Sequence, residues 1–137
     1  MVKADLLRRK LEALEENLGF LRHSQRYTLE EFIADPERYG STERFLQLSI
    51  EILDDIGSHV ISDESLGTID SYSDIPRILF DKKHISAECR ETWLTMIGFR
   101  NLLVHGYAKV DRAVVYGILK EDLSDFEQVA RELSALL

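Results

Sequence analysis

Little in this sequence could staple, kink or anchor a fold. Cys89 is the single cysteine, which excludes an intramolecular disulfide and a cysteine-rich zinc site and suits a reducing compartment. Proline occurs only at 36 and 76, and each marks the boundary of an element. No stretch alternates apolar and polar residues as a half-buried strand would, and there is no repeat or low-complexity tract. No segment reaches the ~18 successive apolar residues of a membrane span, and the opening MVKADLLRRKLEALEEN is charged and lacks the apolar core of a signal peptide. The expectation is a soluble, cytoplasmic protein that does not engage a membrane. Positive charge is scarce too: the 17 Lys and Arg are outnumbered by 25 Asp and Glu, for a net charge of −8. That balance argues against a broad, sequence-independent grip on nucleic acid, which depends on neutralising phosphates.

What is present is helical periodicity. The length of 137 residues suits one domain, large enough to bury ~65–70% of its unfolded surface without metals or disulfides. Leu7, Leu11, Leu14, Leu18 and Leu21 are spaced 4, 3, 4, 3, which predicts a long first helix from Lys3 to about Ile33. Asp35-Pro36 ends it, and Gly40-Ser41 provides a turn and an N-cap for a second helix over about 42–61. On that helix Glu51, Asp55 and His59 form one stripe, read as a solvated face. Residues 62–74 are rich in Ser, Asp, Gly and Thr and read as a mobile loop, followed by a short helix over 76–83. Ser86 caps a helix running to about Val104, where Gly106 stops it. Asp111 caps the last helix, whose seam runs from Leu119 through Leu123, Phe126, Ala130 and Leu133 to Leu137, with a bend allowed near 120–122. The fold class expected is all-α: an antiparallel bundle of four long helices plus a short one, forming a single domain over 1–137.

Charge is unevenly distributed. Residues 41–74 hold eight acids and one base, whereas residues 77–110 hold six bases and three acids. The more basic segment contains Arg100-Asn101-Leu102-Leu103-Val104-His105-Gly106-Tyr107, in which a guanidinium, an amide, an imidazole and a phenol are separated by residues that favour burial. Arg100 and Tyr107 fall on the seam Cys89, Trp93, Met96, Arg100, Leu103, Tyr107, so the arginine occupies a position where an apolar residue is expected and needs a partner.

Two readings of this octapeptide follow from the residues. In the structural one, Arg100 pairs with a carboxylate of the second helix, His105 caps the C-terminus of its own helix, and Tyr107 is core. In the chemical one, the forked arginine grips a phosphate and the histidine moves a proton, the combination needed for phosphodiester cleavage without a metal or cofactor. Arg100 and His105 lie ~140° apart on an ideal helix, so the second reading expects the helix to unwind at His105-Gly106.

The pattern Arg100-Asn101-(x3)-His105-x-Tyr107, near the end of the penultimate helix of a small all-α chain, resembles the HEPN superfamily, specifically the HepT-like toxins, and the likeness extends over essentially the whole chain. The resemblance implies a homodimeric RNase toxin acting on RNA, paired with a MntA-like nucleotidyltransferase antitoxin. It implies catalytic roles for Arg100 and His105, with Asn101 as the polar residue after the arginine, and Tyr107 as the acceptor of AMP that silences the toxin. Arg100 and Tyr107 would also contact substrate. A non-catalytic helical module that binds a nucleotide or a nucleotidyltransferase is the alternative, and a helical homodimer with only a scaffolding role is a third.

Overall fold

A computed structural model describes residues 4–106 and 110–137, and these form seven α-helices and no strand. Helix α1 spans Ala4–Ser24, α2 Leu29–Ala34, α3 Pro36–Asp63, α4 Asp74–Asp81, α5 Ala87–His105, α6 Arg112–Glu121 and α7 Leu123–Ser134. The class is the all-α bundle expected from the periodicity, with two of the expected long helices divided and one extended.

The first division lies at residues 25–28. Phe32 continues the seam of α1, but Thr28 and Glu31 form a reciprocal capping box: Thr28 Oγ1 accepts from the Glu31 N–H at 3.2 Å, and Glu31 accepts from the Thr28 N–H at 3.0 Å. This pair starts a new helix, which lets Phe32 turn into the core with no exposure. Asp35 then serves both helices, closing α2 and capping α3 through the Glu37 N–H at 2.9 Å, with Pro36 in the first helical position where its missing N–H costs nothing. Helix α3 therefore begins at Pro36, not near Thr42, and Gly40 and Ser41 lie inside it.

The second division separates α6 from α7 at Asp122, the place where a bend was allowed. Leu119, Leu123, Phe126 and Leu133 remain buried on either side of the break, so the apolar seam survives while the axis changes.

Helix α3 is the hub and packs against every other helix. Its buried positions include Leu46, Ile50, Leu53, Ile56, Val60 and Ile61, which join Leu7, Leu14, Leu18 and Leu21 of α1 and Trp93 and Ile97 of α5 in one core. Fully burying an aliphatic side chain of this size contributes about 1.5–3 kcal/mol, so this one cluster supplies most of the driving force for folding. The closest approach is at Gly57, where an added Cβ would lie 2.5 Å from Ile75 Cγ2 and 2.8 Å from Trp93 Cη2. Only glycine lets α3, α4 and α5 meet there.

The polar stretch between α3 and α4 has more order than its composition suggests. Asp74 Oδ2 accepts from the N–H groups of both Asp70 and Ser71, at 2.9 and 3.0 Å, folding the segment back onto the start of α4. These bonds hold the Asp74 carboxyl below its ordinary pKa.

Candidate functional site

Helix α5 carries the motif. Ser86 caps its start, accepting from the Cys89 N–H at 3.1 Å, while Ser86 itself donates to both carboxylate oxygens of Glu132 on α7. Trp93 and Met96 then anchor the helix in the core and bring Arg100, two turns beyond Trp93, to its rim.

Arg100 has the partner its position demands. Its Nε donates to Glu51 Oε2 at 3.1 Å, and the two side chains are only 13% and 31% exposed. Gln47, one turn earlier on α3, donates to the same carboxylate at 2.9 Å. Arg100 Nη1 also meets Asn101 Oδ1 at 3.3 Å, and the guanidinium lies 4.8 Å from the centre of the Tyr72 ring. The arginine is thus fixed by α3 from one side, by its own helix, and by an aromatic ring from the 62–74 segment.

Beneath it lies Asp54, which is 2% exposed. Oδ1 accepts from the Trp93 indole N–H at 2.8 Å, and Oδ2 has no hydrogen-bond partner among the described residues. Burial pushes its carboxyl up to about 7, against the opposing pull of the Trp93 hydrogen bond and the Arg100 charge; Glu51 adds to the rise. A groove of about 850 Å³ opens over these groups, between α1, α3, the 70–73 segment and Asn101, and Glu51, Asp54, Asp55, Asp70 and Tyr72 are among its walls.

His105 is elsewhere. It is the last residue of α5 and is exposed to solvent. The Gly106 N–H still bonds to the Leu102 carbonyl at 2.7 Å, and Gly106 has φ −78° and ψ −13°, so the helix does not unwind at His105-Gly106 as the sequence reading expected. Glycine is needed there for a different reason: an added Cβ would run into the Leu102 carbonyl. With α5 helical through His105, the ~140° between Arg100 and His105 persists, and the two do not converge within one chain. Tyr107 lies outside the described residues.

The Arg100 pairing matches the structural reading of the octapeptide, yet it leaves the guanidinium beside an open groove. Glu51 was read as part of a solvated stripe and is in fact the arginine's partner. In the same stripe, Asp55 and His59 do stay at the surface, 3.9 Å apart, and Asp55 also pairs with Lys10. Asp54 does carry a signal in the sequence, since Ile50, Asp54, Gly57 and Ile61 make a 4, 3, 4 seam with an acid inside it. Tyr72 had none, being a lone aromatic in a polar stretch.

A bundle of helices organised on one hub helix, with no strand among the described residues, is an all-α domain of the HEPN kind. The chain belongs to the ribonuclease HepT-like family, whose model matches residues 9–133. Among characterised relatives it is 25% identical over 134 residues to the tRNA nuclease HepT of Aphanizomenon flos-aquae, covering 96% of this chain and 90% of that one. It is 30% identical over 83 residues to the mRNA nuclease HepT of Shewanella oneidensis, covering 61% and 62%. The fold is close to that of a toxin–antitoxin crystal structure with AMP-PNP, with a TM-score of 0.88 at 23% identity, covering 96% of this chain and 98% of that one. It is similarly close to the tri-AMPylated Shewanella oneidensis HEPN toxin in complex with MNT antitoxin, with a TM-score of 0.87 at 24% identity and the same coverage.

Proposed function

We propose that this chain is the toxin of a toxin–antitoxin pair and a metal-independent RNA endonuclease, with Arg100 and His105 as catalytic residues. The observation that carries the reading is Arg100 itself, held at the groove rim by Glu51, Asn101 and Tyr72 next to a helix end that presents His105. Because the two do not meet in one chain, the active unit is a homodimer in which the motif helices of two protomers face a shared cleft.

The chemistry follows from the side chains. A neutral imidazole of His105 takes the proton of a ribose 2′-hydroxyl, and the oxygen attacks the adjacent phosphorus. The P–O5′ bond breaks, the departing 5′-oxygen takes a proton from solvent, and a 2′,3′-cyclic phosphate remains. Arg100 stabilises the charge on the non-bridging oxygens, and Asn101 orients the phosphate or the guanidinium. Both groups work without a metal.

Tyr107 is the proposed switch. A MntA-like nucleotidyltransferase antitoxin would transfer AMP from ATP to its hydroxyl with release of pyrophosphate. The adduct adds a phosphate and a base two residues from His105, so charge and bulk together keep RNA out.

The test is expression of the parent, Arg100→Ala and His105→Ala, with sequencing of RNA ends. The expected result is cyclic-phosphate ends from the parent and none from the folded variants; cleavage by His105→Ala at the parent's rate removes the histidine from the mechanism. Intact mass after mixing with the cognate transferase and ATP should show adenylyl additions that vanish in Tyr107→Phe. A protein that accepts AMP but never cuts RNA is instead the non-catalytic binding module.

A further inference from the structure

The groove beside Arg100 poses a problem for a nuclease, because Glu51, Asp54, Asp55 and Asp70 line it and would repel an RNA backbone. The phosphate has a place at Arg100, on the rim. What fits the groove interior is a group that is flat, uncharged and rich in N–H donors.

Two features make that preference specific. Tyr72 is 45% exposed, an unusual position for a large aromatic, and stands in the groove wall with the Arg100 guanidinium 4.8 Å from its ring centre. An aromatic face next to a phosphate-binding arginine is the arrangement on which unpaired bases stack. At the floor, Asp54 is almost wholly buried and has one carboxylate oxygen, Oδ2, without a partner among the described residues. In the ionised carboxylate that buried oxygen carries a standing cost that an incoming N–H donor would relieve, so a bound amino group favours the ionised form.

Taking the nuclease reading as given, we infer that this groove is a nucleobase pocket for the RNA substrate, in which Tyr72 stacks the base beside the scissile phosphate and Asp54 selects bases that carry an exocyclic amino group. Adenine, cytosine and guanine each present such a donor, and carboxylates recognise it by accepting its hydrogen. Uracil offers carbonyl oxygens on both sides of its single N–H, which would face the acidic walls unfavourably. The pocket therefore disfavours uracil at one position next to the cut.

Asp54→Asn separates recognition from structure. The asparagine Oδ1 can keep accepting from Trp93, while its amide turns a donor toward the groove, converting a pocket that prefers amino groups into one that prefers carbonyls. Tyr72→Ala removes the stacking face from an exposed segment, and Tyr72→Phe retains it.

The experiment sequences RNA ends made by the parent, Asp54→Asn, Tyr72→Ala and Tyr72→Phe, and titrates each protein with AMP and with UMP while following the Trp93 indole resonance. The expected result is a depletion of uracil of at least several-fold at one position flanking the parent's cuts. Asp54→Asn should abolish or reverse it, Tyr72→Ala should raise KM about tenfold, and Tyr72→Phe, which keeps the ring, should recover most of that loss. In the titrations AMP should move the Trp93 signal at lower concentration than UMP, with the order lost in Asp54→Asn. Parent-like end profiles from both Asp54→Asn and Tyr72→Ala overturn the pocket while leaving the nuclease standing. A parent that cuts no RNA but still ranks AMP over UMP through Asp54 upholds the base pocket and removes the nuclease reading.

Discussion

Glu51 and Arg100, 49 residues apart, share a 3.1 Å hydrogen bond across the contact between α3 and α5, and Glu51 is in turn steadied by Gln47. The bond orients a cation that would otherwise sweep the rim of the groove. Glu51→Ala should loosen Arg100 and lower RNA cleavage roughly tenfold or more, chiefly in kcat, since misplacing a charged group costs transition-state stabilisation. The stability loss should be about 1–2 kcal/mol, because the pair is only partly screened by solvent. Glu51→Gln, which can still accept the Nε–H, should recover most of the activity. Denaturant melts and single-turnover cleavage check both parts.

Asp54 should make stability depend on pH in a direction opposite to most carboxylates. Its folded pKa, raised to about 7, exceeds the ordinary value near 3.8, so the folded state binds the proton more tightly than the unfolded chain. Its contribution is fully present below about pH 4 and is lost as pH rises to about 7, by at most about 4 kcal/mol. Asp54→Asn should therefore gain on the parent as pH rises from 4 to 8. Melting temperatures of the two proteins across that range test the sign.

At Gly57, alanine should cost about 1–3 kcal/mol through overpacking, because its Cβ would press on the buried Ile75 and Trp93 side chains, which would have to shift. Altered near-ultraviolet circular dichroism from Trp93 should accompany the drop in melting temperature.

Lys83 occupies the left-handed region at φ +61° just after α4, where a side chain is disfavoured. Lys83→Gly should stabilise the protein by about 0.5–1 kcal/mol, less the added freedom of the unfolded chain. Chemical denaturation resolves a change of that size.

Helix identity and the core were legible because Leu7–Leu21 and Leu119–Leu133 repeat at helical spacing and apolar spacing is a direct image of burial. The helix boundaries were less so. Thr28 and Glu31 form a capping box that overrides a continuing seam, and Asp35-Pro36 starts a helix as readily as it ends one. For the site, Arg100 announced itself as a cation in an apolar register. Its surroundings did not, because Glu51, Asp54 and Tyr72 meet it only through tertiary packing, and no local spacing encodes which carboxylate of a long helix will face which neighbour.

The cap of α5 ties the motif helix to the last helix of the fold, since both the N–H and the hydroxyl of Ser86 donate to Glu132. During synthesis, residues 87–105 leave the ribosome well before Glu132, and until then one flank of the helix carrying Arg100 has nothing to lean on. A nascent chain thus completes the cap of α5 only once Glu132 has been made, so the end of the motif helix opposite Arg100 is the last part of it to be tied down.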